Sequence, residues 1–194
     1  MKVANAFYQV ASLFFQVPVL AVALIIVLIQ FDVLQFKYFP WVIVTLLHLS
    51  LLPLLYGAFV YKTKRISNAD ITERKERVIP FFVITLVYGV YLFVTIMFDA
   101  PTIFKTLAVH YFILALILSI MTVFWKVSVH VAGVTQVVVL LSILISSWVF
   151  FISPLIIFVG WMRIKMKSHD IWQVFGGILV ALVSAFVAAK IDLL

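Results

Sequence analysis

Apolar stretches long enough to cross a bilayer follow one another along this chain, and short polar stretches punctuate them. A transmembrane helix needs about 20 predominantly apolar residues, so each long stretch reads as a span. The first runs roughly from Val10 to Gln30. The second runs from Trp41 to Tyr61, with an amphipathic ring at each end where such rings anchor in the interface. The third runs from Pro80 to Phe98, opened by a proline suited to the first helical position, and the fourth from about Leu107 to Trp125. The last is Ile171 to Ala189.

The stretch from Val131 to Met162 needs a break. Its 32 residues would form a helix of about 48 Å, against a hydrocarbon core of about 30 Å. Ser146-Ser147 and Ser153-Pro154 are the places for it, and Ser153 as cap with Pro154 at the first helical position is the better of the two. The expected fold is therefore all-α, a polytopic transmembrane helical bundle of about six or seven spans.

The polar stretches carry the chemistry. In YKTKRISNADITERKERVIP, Asp70 with Glu73 resembles a helix start, and Ile71 to Arg77 reads as a short interfacial helix. Glu73 and Arg77 stand at the spacing of a solvated ion pair, while the sharper reading turns Arg74, Lys75 or Arg77 toward a phosphate. Asp99-Ala100-Pro101 is a turn. Lys126, Ser128 and His130 bring a cation, a hydroxyl and an imidazole within five residues at a membrane edge. Arg163 stands six residues before His169, at the mouth of the last span. There the unpaired backbone N–H groups and positive end of a helix favour an anion. Two helices between Pro80 and Trp125, and two between Val131 and Met162, return the chain each time to the side it left. The clusters at Arg77, His130 and His169 then share one membrane face. His48 and His110 lie inside spans, where a neutral, hydrogen-bonded histidine is the plainer reading.

Composition narrows the class. The chain is 66% hydrophobic and 11% charged, with mean hydropathy +1.29, more apolar surface than a soluble domain of this size needs. The longest polar segment, Tyr61 to Arg77, leaves no room for a separate soluble domain. The first apolar run contains Gln16 and Pro18 and shows no small-residue cleavage site, so it reads as a span rather than a signal peptide. Cysteine is absent, which excludes disulfides, thiolate metal sites and a cysteine nucleophile. The net charge of +7 sits between spans and reads as topology signal and affinity for anionic lipid, with no nucleic-acid partner expected.

Taken together, the three basic clusters resemble the type-2 phosphatidic acid phosphatase family, membrane enzymes that dephosphorylate lipid phosphates without a metal. The family's second motif centres on Ser-Gly-His; here Ser128-Val129-His130 follows Lys126 and precedes Gly133. Its third motif is Ser-Arg, five residues, His, three residues, Asp. Here Arg163 and His169 match, Gly176-Gly177 follow, Met162 stands in the serine position and Gln173 in the aspartate position. Its first motif, a lysine followed after six residues by Arg-Pro, is degenerate in Arg77-Val78-Ile79-Pro80, and position 70 is Asp. The resemblance implies a five-helix phosphatase-type core over residues 71–194, preceded in 1–70 by two spans and the polar loop.

It also implies roles. His169 would attack phosphorus and form a phosphohistidine, and His130 would protonate the leaving oxygen and then activate water. Arg163, Arg77, Lys126 and Ser128 would hold the phosphoryl oxygens. No cofactor or metal is implied, and the partners are a lipid phosphate and the bilayer. Gln173, four residues after His169, can accept the nucleophile's ring N–H on the same helix face. It cannot stabilise an imidazolium by charge. The alternative expectation is a catalytically weak or silent relative that binds anionic lipid. A prenyltransferase would need two Asp-rich motifs, and the seven acidic residues form no second one.

With seven spans, Lys2, Lys62, Lys64, Arg65, Arg74, Lys75, Arg77, Lys126, Arg163, Lys165 and Lys167 fall on the site face, 11 of the 14 cations, against Lys37, Lys105 and Lys190 on the other. The positive-inside rule then expects the site on the cytoplasmic face of a cell inner membrane.

Overall fold

The computed structural model describes residue 8 and residues 10–68 and 70–192. Lys2, counted above in the charge bias, lies outside the described residues. The main helices are α1 (Val17–Gln30), α2 (Phe39–Leu46), α3 (Leu52–Lys62), α4 (Arg74–Met97), α5 (Thr102–Phe124), α6 (Val129–Leu144), α7 (Pro154–Lys165) and α8 (Ile171–Asp192). No strand occurs among the described residues.

Five helical stretches are long and apolar enough to cross a membrane: Phe36–Lys62, Arg74–Met97, Thr102–Phe124, Ser147–Lys165 and Ile171–Ile191. α1 and α6 are apolar but shorter, with 14 and 16 residues. At 1.5 Å per residue they extend only about 21 and about 24 Å.

Side-chain polarity is inverted relative to a water-soluble helix. Along α4, Ile79, Phe82, Leu86, Val90, Phe93 and Met97 form an exposed apolar stripe, while Arg77, Thr85, Tyr88, Tyr91 and Thr95 are buried. Along α8, Trp172, Phe175, Leu179, Leu182 and Phe186 point outward, and Gly176, Gly177, Ala181, Ser184, Ala185 and Ala188 are buried. Large apolar side chains outside and small or polar ones inside are what lipid as solvent selects. The protein is an all-α transmembrane helical bundle.

By contact the chain forms two compact units, each assembled from separate stretches. Met1–Leu34 with Lys126–Leu182 make the first, and Gln35–Trp125 with Val183–Leu194 the second. In the first, α6 is buried nearly all round, and Val131, Val134 and Val138 join Leu20 of α1, Val159 and Met162 of α7 and Val174 of α8 in one core. In the second, α4 and α5 form a helical hairpin closed by the Asp99 turn, in which Asp99 takes the left-handed conformation (φ 46°) and pairs with Lys105.

Prolines shape the elements. A helical segment at 10–14 stops before α1 because Pro18 has no N–H for the Phe14 carbonyl, and Gln16 turns extended (ψ 140°). Pro53 likewise cannot serve Leu49, and the helix widens into a π turn over Leu47–Leu51. In the stretch from Val131 to Met162 the helix is interrupted at both of the candidate places. α6 ends at Leu144, a 3₁₀ turn spans Ser147–Ile152, and Pro154 opens α7. Ser153 itself is helical (ψ −25°) and makes no side-chain cap.

Besides the Ser153 cap, three expectations need correction. Pro80 does not open a helix: α4 begins at Arg74, and Pro80 sits inside it. The interfacial helix and the third span are thus one element. Proline's fixed φ suits a helix, and the lost bond concerns only the Glu76 carbonyl near the polar end. Asp70 is not the cap, since Glu73 holds that position and Asn68 organises the preceding turn through Thr72. Arg77 is not on a solvated face; it is buried and donates Nε–H to the Ile71 carbonyl.

Candidate functional site

The spacing between Arg163 and His169 is made by a helix ending. Val159, Met162 and Arg163, at i, i+3 and i+4, are buried together. After α7, Lys167 takes the left-handed conformation (φ 54°). The Lys167 N–H donates to the Ile164 carbonyl at 2.9 Å and the Ser168 N–H to the Arg163 carbonyl at 3.1 Å. This pair of bonds is a Schellman ending, which occupies carbonyls the last turn leaves orphaned. The His169 N–H also reaches the Arg163 carbonyl, at 3.3 Å. The six-residue interval therefore ties the nucleophile candidate's backbone to the arginine's.

α8 starts at once. Asp170 Oδ1 accepts the Gln173 N–H at 2.9 Å, as an N-cap residue does for the third helical position. Asp170 is thereby committed to the backbone. The Gln173 side chain turns back instead to His169, with Nδ1 and Oε1 2.9 Å apart. With the carbonyl oxygen accepting, Nδ1 carries a proton and donates it to Gln173.

The second cluster is pinned against this turn. The Ser128 N–H donates to the Gln173 carbonyl at 3.0 Å, and the Ser128 carbonyl accepts from Ala132 at the start of α6. A Cβ on Gly177 would stand 2.5 Å from the Ser128 carbonyl oxygen, so only glycine permits this approach. The Ser128 hydroxyl is fully buried and makes no hydrogen bond among the described residues. Leaving such a group unmet costs about 1–3 kcal/mol, so a buried hydroxyl of this kind is a place where a ligand oxygen would be welcome.

One serine joins the two clusters. Arg163 Nη1 donates to Ser12 Oγ at 2.6 Å, and the same oxygen lies 3.2 Å from His130 Nε2. Arg163 and Ser12 are both 0% exposed, and His130 and His169 are 7% and 6% exposed. The sequence reading missed Ser12. The only signal was a small polar residue inside the first apolar run, which serine often supplies for helix packing.

The first unit thus gathers His169, Gln173, Arg163, His130 and Ser128, and the half-buried Lys126 belongs to it as well. Arg77 belongs to the second unit. So do both span histidines: His48 donates Nδ1–H to the Val44 carbonyl of its own helix at 2.9 Å, and His110 is buried. Among the described residues no three His, Asp or Glu side chains gather as metal ligands. Neither a family model, nor a curated protein, nor a solved structure matches this chain.

Proposed function

We propose that the protein is an integral-membrane, metal-independent phosphatase acting on a lipid phosphate through a phosphohistidine at His169. The observation that carries the reading is the 2.9 Å contact between His169 Nδ1 and Gln173 Oε1. It fixes the orientation of the His169 ring, in a segment whose backbone is bonded to that of a buried arginine. A nucleophile, a group that orients it and a fixed cation are what histidine-based phosphoryl transfer asks of a protein.

In this mechanism His169 Nε2 attacks phosphorus, and the bond from phosphorus to the lipid oxygen breaks. His130 gives that oxygen its proton. His130 then takes a proton from water, whose oxygen attacks the phosphohistidine, releasing phosphate and restoring His169. Arg163 and Lys126 neutralise charge on the phosphoryl oxygens, arginine by paired N–H donors, and the Ser128 hydroxyl donates to one of them. The substrate is a lipid phosphate of the phosphatidic acid, phosphatidylglycerophosphate or polyprenyl (di)phosphate kind, and the charge bias favours work at the cytoplasmic face of a cell inner membrane.

A second reading has one observation in its favour. The group on His169 Nδ1 is a neutral amide, which orients the ring without stabilising its charged form. A weak or silent relative that holds anionic lipid fits that feature. Phosphate release by the purified, detergent-solubilised chain separates the two. With EDTA present and the three lipid phosphates offered in turn, the phosphatase reading expects release that His169→Ala abolishes. No release from any of them leaves the lipid-binding reading in its place.

A further inference from the structure

The tie between Arg163 and His130 through Ser12 has no counterpart in the motifs that pointed to the site. Its three members come from the helical segment at 10–14, α6 and α7, with the bonded partners 118 and 151 positions apart in sequence. Such contacts do not arise from local chain geometry. The N-terminal segment is seated by packing around it: Tyr8 meets Trp161 edge-on with ring centroids 5.9 Å apart, and Phe15 meets Phe158 at 6.3 Å. Ser12 is therefore carried to Arg163 on a fixed support.

The proton logic is directional. A guanidinium has donors only, so Ser12 Oγ must accept from Arg163. A hydroxyl oxygen has a second lone pair, and it lies where His130 Nε2–H can donate into it, the proton an imidazole keeps while its Nδ1 gives and takes the mobile one. Both groups are buried, so water does not compete for either bond.

We propose that Ser12 is a positioning residue of the phosphatase centre, whose hydroxyl locks the His130 imidazole to the Arg163 guanidinium so that proton donor and phosphate-holding cation keep one mutual orientation. The role rests on the phosphatase reading above. Its effect falls on the chemical step rather than on lipid binding, because Ser12 acts through His130 and Arg163 and needs no contact with the lipid.

The test uses the full chain in detergent, as wild type, Ser12→Ala and Ser12→Thr, with melting temperatures recorded for each. Steady-state release from phosphatidic acid is measured together with imidazole nitrogen NMR of isotope-labelled histidine. The expected result for Ser12→Ala is kcat lowered about 10–100-fold, the usual loss when a partner behind a functional group is removed, with KM within about twofold. Ser12→Thr, which restores a hydroxyl, recovers most of the rate. The His130 Nε2 signal moves in Ser12→Ala while that of His48 stays. An unmoved His130 signal overturns the tie, and an unchanged kcat beside a moved signal overturns the positioning role. A KM that rises with kcat unchanged also overturns it. A wild type without turnover removes the phosphatase reading and the role with it, and the His130 signal still reports separately whether the tie exists.

Discussion

The two compact units bury polar groups in different ways. In the second unit hydroxyls meet hydroxyls or backbone: Thr85 Oγ1 with Ser119 Oγ and Thr45 Oγ1 with Tyr91 OH, both at 2.6 Å, and Tyr88 OH donating to the Leu49 carbonyl at 3.4 Å. These bonds join neighbouring helices across an apolar medium, which is how polar side chains hold transmembrane helices together. In the first unit two buried imidazoles and a guanidinium are held by side-chain intermediaries, Ser12 and Gln173, whereas the buried Arg77 of the second unit donates to a backbone carbonyl. Two histidines make the contrast sharp. His48 gives its Nδ1 proton to its own helix and stacks on Tyr91 at 5.5 Å, which serves packing. His169 stands before a helix start, beside an arginine, with a side chain assigned to its Nδ1. Satisfying a polar group and orienting it are different jobs, and the partner reveals which one is being done.

The largest expected effect breaks the contrast directly. His169→Ala should lower phosphate release by roughly 10³-fold or more, the scale of losing a nucleophile, while His48→Ala should leave it within about threefold. Gln173→Asp sharpens the same point. A carboxylate in that place adds charge stabilisation to orientation, so kcat should rise about 10–100-fold. A rate that falls would mean that the amide is matched to a different task.

Backbone approach gives a third comparison. Gly177→Ala forces a Cβ onto the Ser128 carbonyl and should cost about 1–3 kcal/mol in thermal or denaturant unfolding. Gly57→Ala in α3 meets nothing within 4 Å and should stabilise by about 0.5–1 kcal/mol. The smallest effect lies at the α4–α5 turn. Lys105 beside Asp99 holds that carboxyl below its usual 3.8. A lowered pKa means that the pair stabilises above the ordinary carboxylate range and ceases to do so as pH falls through the lowered value. The small excess in melting temperature over Asp99→Asn should therefore shrink on acidification below 3.8, and an excess that grows would reverse the sign.

Much of this was legible in the chain because a bilayer imposes length. The apolar runs, the turn at Asp99 and the break before Pro154 follow from span length and proline chemistry. The interval between Arg163 and His169 could be read as an association, though the ending at Lys167 that fixes it could not, since lysine is not the residue expected in a left-handed position. Pro80 misled because a proline suits both a helix start and an early turn of a longer helix, and the charged residues before it looked like surface. Ser12 was beyond reach for a different reason. One hydroxyl in an apolar run carries no spacing signal, and its partners lie more than a hundred residues away.

The central claim is a covalent phosphohistidine at position 169. Rapid mixing of the purified chain with a radiolabelled lipid phosphate, followed by quenching in alkali, tests it most directly, because phosphohistidine survives base and is lost in acid. The expected result is a base-stable, acid-labile label on the protein that is absent from His169→Ala. Undiminished phosphate release by His169→Ala, with no labelled protein in either form, would contradict it.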